Sequence, residues 1–328
     1  MDDVVEKIKE KIKGKKNRIV FPESEDERVL KAASELAADG VIRPYLIGAE
    51  PTISKKAEEC GVSLDGIEIR DPDHDTNSER YAEMLYELRK EKGLGMEEAN
   101  KLLKDNIYFA IMMLKSGDAE GLVCGAMHST ADTVRPALQV LKTEEGHSIA
   151  SSFFLMITKE GNELIFADCG INIDPDEESL AEIAISTAQS ARILDIEPRV
   201  AMLSFSTKGS AKHEKVDKVR RATEILKEKN VDFAFDGELQ LDAAIVPRVS
   251  VSKSPDSPLG GNANILIFPD LGAGNIGYKL VERFAGAKAL GPIIQGIGGA
   301  VNDVSRGCSK EDIMNVSVIT ALQASLKR

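Results

Sequence analysis

The stretch that decides the reading of this chain is Gly121-Leu122-Val123-Cys124-Gly125, followed by Ala126-Met127-His128-Ser129-Thr130 and the apolar-faced residues 131–141. A short apolar run between glycines fits a strand buried on both faces. The small, polar residues after it fit a loop, and the segment beyond fits a helix over Ala131–Leu141. Strand, loop and helix in that order make half of a βαβ crossover, the unit of a parallel sheet.

The same alternation extends in both directions. Before this stretch, a charged amphipathic helix over Val4–Ile12 leads to a strand at Arg18–Phe21. Pro22-Glu23-Ser24-Glu25-Asp26-Glu27-Arg28 then opens a helix through about Ala38, with Ser24 and Glu27 as a capping pair. A strand at Arg43–Gly48, a helix at Ile53–Cys60 and a strand at Ile67–Arg70 follow, with two or three helices between Ser78 and Lys115. Beyond the stretch, Ile149–Thr158 and Glu163–Ala167 read as adjacent strands joined by the polar turn Lys159-Glu160-Gly161-Asn162. The rhythm resumes with helix Glu177–Leu194, strand Arg199–Ser204, a helix over about Lys212–Lys229 and strand Phe233–Phe235. Asp242–Ser252 reads as helix interrupted by Pro247. Strand Ile265–Phe268, helix Asn275–Phe284 and a short strand at Ala289–Gly291 complete the series. The fold class is therefore α/β, with two αβα domains built on mainly parallel sheets. Residues 1–148 with the returning C-terminal helix, 307–328, form the first domain, and residues 149–306 the second. Ligand sites in such folds lie at the C-terminal ends of strands, often between domains.

Composition narrows the partners. The net charge of −12 argues against nucleic acid or an anionic membrane surface, so any anionic ligand must be held by locally clustered arginine and lysine. The longest apolar runs, such as Ile149–Ile157, are shorter than the ~18 residues that suggest a membrane span. Met1-Asp2-Asp3-Val4-Val5-Glu6-Lys7 has no apolar signal core, so the expected location is the cytoplasm. Cys60, Cys124, Cys169 and Cys308 are scattered without a CxxC pair, which fits a reducing compartment and no zinc site. The four histidines are equally scattered, and no metal is expected.

Several loops carry hydroxyls and cations at expected strand ends. The loop Gly125–Pro136 could cradle an anion with its Ser and Thr groups and close Arg135 over it, or simply cap a helix. Ser204-Phe205-Ser206-Thr207-Lys208-Gly209-Ser210-Ala211-Lys212 is similar, whereas Asp236-Gly237-Glu238-Leu239-Gln240-Leu241-Asp242 reads as a solvated acidic face. Near the end, Asn302-Asp303-Val304-Ser305-Arg306-Gly307-Cys308-Ser309-Lys310-Glu311-Asp312 places a hydroxyl, a guanidinium and a carboxylate just before a helix. Ser309 and Asp312 have capping-box spacing, with Ile313, Val316, Ile319 and Leu322 as the buried stripe. Free N–H groups and the helix dipole favour an anion there, and Arg306 adds a planar donor fork. The competing reading is a plain capping box with a surface arginine. So many anion-friendly loops in an acidic protein point to a multiply phosphorylated ligand.

Gly272-Ala273-Gly274-Asn275-Ile276-Gly277 matches GxGxxG, which opens a NAD(P)-dependent oxidoreductase as an alternative. No acidic residue follows at the next strand end to hold a ribose, so a phosphate-contacting or tightly turning loop is the better reading.

Taken together, Phe21–Asp26, Gly125–Pro136, Ser204–Ala211, Asp236–Ile245, Phe268–Leu271, Gly274–Lys279 and Asp303–Ser309 resemble phosphate acetyltransferases of the short form, over essentially the whole chain. The resemblance implies acetyl-CoA and phosphate interconverting with CoA and acetyl phosphate, two αβα domains with the active-site cleft between them, and a homodimer. CoA and acetyl-CoA enter as substrates, and no cofactor is required. It implies Asp312 as the base that takes the thiol proton, Ser305 as a group stabilising the reacting centre, and Arg306 as the phosphoryl contact. It implies substrate-binding roles for Arg283, Arg135, Arg89 and Arg28, with Ser129 and Thr130 in the anion loop. Ile294 and Ala131 stand where the family often has Thr and Ser, at the pocket lining. A phosphate butyryltransferase on the same fold is the nearest alternative. The long N-terminal extension of the larger family form, and regulation through it, are not expected.

One physical difficulty accompanies that base. A thiol near about 8.5 facing an aspartate near about 3.9 is roughly 6 kcal/mol uphill for proton transfer, and a helix N-terminus favours the ionised acid further. Burial of the acid, arginines lowering the thiol, or transfer concerted with attack must close the gap.

Overall fold

The computed structural model describes residues 3–326; the outermost residues of the expected first domain, 1–2 and 327–328, lie outside the described residues. The chain divides into two compact units. Residues up to Glu145, together with those from Ile297 onward, form one, and Gly146–Gly296 form the other.

In chain order the first unit begins with α1 (Asp3–Ile12), β1 (Arg18–Phe21), α2 (Glu27–Ala38), β2 (Arg43–Ile47), α3 (Glu50–Cys60) and β3 (Glu68–Arg70). Helices α4 (Ser78–Arg89), α5 (Met96–Leu102) and α6 (Asn106–Ser116) precede β4 (Gly121–Cys124) and α7 (Thr130–Leu141). The start of α2 differs from expectation. Asp26, not Ser24, is its N-cap and accepts from the Arg28 amide, because the Ser24 hydroxyl is spent on the Phe21 carbonyl at 2.9 Å.

The second unit contains β5 (Ser151–Ile157), β6 (Glu163–Ala167), α8 (Glu177–Ile193), β7 (Arg199–Leu203), α9 (Glu214–Glu228) and β8 (Ala234–Leu239). It continues with α10 (Leu241–Ile245), α11 (Pro247–Lys253), β9 (Ile265–Ile267), α12 (Leu271–Ala285) and β10 (Lys288–Gln295). Its sheet runs β10-β5-β6-β9-β7-β8, with β5 antiparallel to both neighbours and the remaining pairs parallel. Two strands are longer than the sequence suggests. β10 extends to Gln295 because pairing with β5 resumes at Ile293 after an irregularity spanning Pro292, which has no N–H to donate. β8 holds Asp236 and Glu238 as buried residues rather than a solvated face. Lys208 pairs with Asp236, and the Gly209 amide donates to Glu238 at 2.7 Å. Proline splits the expected Asp242–Ser252 helix into α10 and α11, with Pro247 opening the second.

The chain re-enters the first unit at Ile297, ahead of residue 307, through a strand the sequence reading passed over. β11 (Ala300–Asp303) pairs in parallel with β4, completing an all-parallel sheet in the order β11-β4-β1-β2-β3. The last helix, α13 (Lys310–Leu326), packs on α1, α2 and that sheet. Ile313, Val316, Ile319 and Leu322 are buried as the periodicity requires, but Ser317, Thr320, Ala321 and Gln323 are buried too. The polar ones are satisfied: the Asn302 amide donates to Thr320 Oγ1 at 2.8 Å and Gln323 Oε1 at 2.7 Å. Among the described residues, no helix is long and apolar enough to cross a membrane.

Candidate active site

β11, β4 and β1 are consecutive in the first sheet, so the segments leaving their C-terminal ends are neighbours. These segments start at Val304, Gly125 and Pro22, and they carry most of the expected site residues. Their contacts differ from a simple anion cradle.

Behind β1, Glu23 is buried and collects the amides of Ala126, Met127 and His128 at 2.7, 2.8 and 2.8 Å, with His128 Nδ1 at 2.7 Å. The N–H groups expected to hold a ligand anion are therefore occupied by the chain's own carboxylate. Glu23, Cys124 and His128 also place potential metal-ligand atoms within 4.8 Å of one another, but Glu23 already accepts from three amides.

Ser129 caps α7. Its hydroxyl and amide donate to Asp132 at 2.6 and 3.1 Å, which holds that carboxyl below the usual range. Thr130 donates to Asp303 Oδ2 at 2.6 Å, and Thr133 to Asp303 Oδ1 at 3.0 Å. Burial pushes Asp303 up to about 7 against those two hydroxyls; Glu23 adds to the rise and Arg306 opposes it. Gly125 is required beside it. Its φ is +102°, and a Cβ would stand 2.3 Å from Asp303 Oδ1 and 2.4 Å from the Val304 carbonyl.

After β11, the Ser305-Arg306-Gly307 loop is exposed. The Cys308 amide donates to the Ser305 carbonyl at 2.8 Å, and the Gly307 amide to Ser305 Oγ at 3.2 Å. Among the described residues, neither the Ser305 hydroxyl proton nor the Arg306 guanidinium has a hydrogen-bond acceptor within the protein. Cys308 beneath them is buried, which pushes its thiol up to about 11 although Arg28 pulls it down. Asp312 completes a full capping box. Its Oδ2 accepts from the Ser309 amide and hydroxyl at 2.8 and 2.9 Å, and its own amide donates to Ser309 Oγ at 3.1 Å. One carboxylate oxygen is thus fixed by the cap, which orients the other.

Arg28 reaches this loop with its guanidinium, donating to the carbonyls of Arg306 and Cys308. Arg89 on α4 and exposed Arg135 on α7 both act electrostatically on Tyr108 of α6. Burial raises the Tyr108 pKa and Asp105 adds to the rise, while Arg89 and Arg135 pull it down. Arg283 belongs to the second unit, exposed on α12 with Nε 3.4 Å from Glu282.

The glycine motif at 272–277 is not a loop. α12 begins at Leu271, and Asp270 caps it by accepting the Ala273 amide at 2.9 Å. Gly274 lets the helix lie against β6, since a Cβ there would meet the Asp168 carbonyl at 2.3 Å. Gly274 and Gly277 serve packing, and the dinucleotide and turning-loop readings fall because the helix begins before the first glycine.

Glu23, Asp26, Thr133 and Asp303 were not picked out as site-forming residues. Asp303 stands inside a quoted motif, and recognising β11 would have located it at a strand end.

Comparison with known proteins agrees with this architecture. Residues 3–321 match the family model described as phosphate acetyl/butaryl transferase. The chain is 51% identical over 328 residues to a phosphate acetyltransferase of Clostridium acetobutylicum, covering 98% of both chains. It is 52% identical over 327 residues to that of Thermoanaerobacterium thermosaccharolyticum, covering 98% and 99%. A phosphotransacetylase structure from Streptococcus pyogenes superposes with a TM-score of 0.95 at 48% identity, covering 99% of each chain. A family match spanning nearly every residue, and half-identical relatives of the same length, leave one conclusion: the chain belongs to the phosphate acetyl/butaryl transferase family.

Proposed function

We propose that this chain transfers an acetyl group directly between CoA and phosphate, interconverting acetyl-CoA plus phosphate with CoA plus acetyl phosphate. The observation that supports this most is the loop after β11. It offers an exposed hydroxyl at Ser305 and an exposed guanidinium at Arg306, and the oriented carboxylate of Asp312 follows at the helix start. In the thioester-forming direction, Asp312 takes the CoA thiol proton as sulfur attacks the acetyl carbonyl. The C–S bond forms, the bond between carbonyl carbon and bridging oxygen breaks, and phosphate leaves with the electron pair. Arg306 holds the phosphoryl group and the charge that develops on it, and Ser305 donates to the reacting centre. Phosphate leaves readily, so no acetylated enzyme is needed. Proton transfer concerted with attack avoids the full cost of a free thiolate.

Arg89 and Arg135, which share the neighbourhood of Tyr108, are the proposed contacts for CoA phosphates. Arg283 is proposed as a further anion contact, and Ser129 and Thr130 as lining, their oxygens still able to accept. No cofactor beyond the substrates is invoked. We place the enzyme in the cytoplasm, consistent with four free cysteines. We also propose a homodimer. On α12, Ile276, Leu280 and Phe284 recur every fourth residue and are 62%, 49% and 86% exposed, an apolar stripe that suits a second copy.

Thioester formation followed by ultraviolet absorbance, with CoA and either acetyl or butyryl phosphate, tests the reading. Faster turnover with acetyl phosphate is expected; preference for butyryl phosphate would move the chain to the sister activity. Exchange of labelled phosphate into acetyl phosphate without CoA would refute direct transfer.

A further inference from the structure

Arg28 has its entire donor set committed within its own unit. A guanidinium carries about five N–H groups. Nε donates to Asp26 Oδ1 at 3.0 Å, and Nη1 donates to the Arg306 and Cys308 carbonyls at 2.8 and 2.9 Å. Nη2 donates to Asp26 Oδ2 at 2.7 Å and to the Ala126 carbonyl at 2.8 Å. Every N–H has an acceptor, and none is left for a ligand.

The three carbonyls come from two different loops. Arg306 and Cys308 belong to the loop after β11, and Ala126 opens the loop after β4. The paired contact with Asp26 fixes the plane of the fork, and Asp26 is itself held as the N-cap of α2. A lysine could not reproduce this fan: it brings a point charge and no planar fork. A substrate anion on Arg28 would strip one of these acceptors of its donor, at the cost of an unsatisfied carbonyl.

We infer that Arg28 is a positioning residue rather than a substrate contact: it staples the Ser305–Ser309 loop and the Ala126 loop to the start of α2, and so sets where Ser305 and Arg306 stand. This departs from the binding role that family resemblance implies. It rests on the proposed acyl transfer only for its kinetic readout.

The experiment is a double-mutant cycle of Arg28→Ala and Arg306→Ala in thioester formation, with calorimetric CoA binding and amide hydrogen exchange at residues 305–309. Arg28→Ala alone is expected to lower kcat roughly 100-fold, as a small displacement of a reacting group does, and to cost only about tenfold once Arg306 is gone, the remainder acting through Ser305. CoA affinity should stay within about threefold, and the loop amides should exchange faster. Equal losses in both Arg306 backgrounds, or a tenfold loss of CoA affinity with loop exchange unchanged, would overturn the inference. Should Arg28→Ala fail to fold, Arg28→Lys replaces it. Retained charge rescues a substrate contact but leaves the staple broken. If the wild type shows no turnover, the functional reading fails while amide exchange still judges the staple.

Discussion

The Thr130 hydroxyl donates to Asp303 Oδ2 at 2.6 Å, joining the first residue of α7 to the last residue of β11. The carboxyl is buried and pushed up to about 7. In the unfolded chain it titrates near about 3.9. Between those values the folded protein holds a proton that the unfolded chain has released, so this group's contribution to stability falls as pH rises through the window. A shift of this size amounts to something on the order of 4 kcal/mol. Denaturant midpoints of wild type and Asp303→Asn should therefore diverge between about pH 4 and about pH 7, with wild type losing ground as pH rises. Parallel curves would show that Asp303 does not titrate in that range.

Gly125 makes that junction possible, because a Cβ would collide with both Asp303 Oδ1 and the Val304 carbonyl. Gly125→Ala should cost about 1–3 kcal/mol from its positive φ and the overlap together. It should also lower kcat through the displaced Ser305 loop. Thermal denaturation and turnover measured on one preparation check both, and an unchanged melting temperature contradicts the packing argument.

Arg306 has an exposed guanidinium and a backbone carbonyl held by Arg28. Removing a donor aimed at developing charge typically costs about 10²–10³ in kcat. Arg306→Ala should show a loss of that order, with Arg306→Lys recovering only part of it because the fork is gone. Steady-state kinetics at saturating CoA decide it, and undiminished turnover removes Arg306 from the mechanism.

Phe284 and Ile276 lie on the exposed apolar face of α12. If a second copy covers that stripe, Phe284→Asp combined with Ile276→Asp should shift mass from dimer to monomer in light scattering at micromolar concentration. A wild type that is already monomeric rejects the homodimer.

The alternating pattern carried most of the fold because buried strands and amphipathic helices write their periods into the chain. β11 escaped notice because Ala300-Val301-Asn302-Asp303 follows a glycine run, and half of it is polar. Its polar residues are tolerated because Thr320, Gln323, Thr130 and Thr133 bond them, all partners distant in sequence. β8 was shortened for the same reason, its acids being matched by Lys208 and Gly209. At the site, the Ser309–Asp312 cap was legible from spacing alone. That Glu23 consumes the loop amides was not, because about 100 residues separate an acceptor from donors that meet only through a parallel sheet.

Thioester formation from CoA and acetyl phosphate in Asp312→Asn tests the central claim most directly. Asparagine keeps the cap's shape and its acceptor oxygen while removing the base. The account predicts a folded enzyme whose kcat falls by about 10²–10⁴. Turnover within a few-fold of wild type would contradict it, since the thiol proton would then leave by another route.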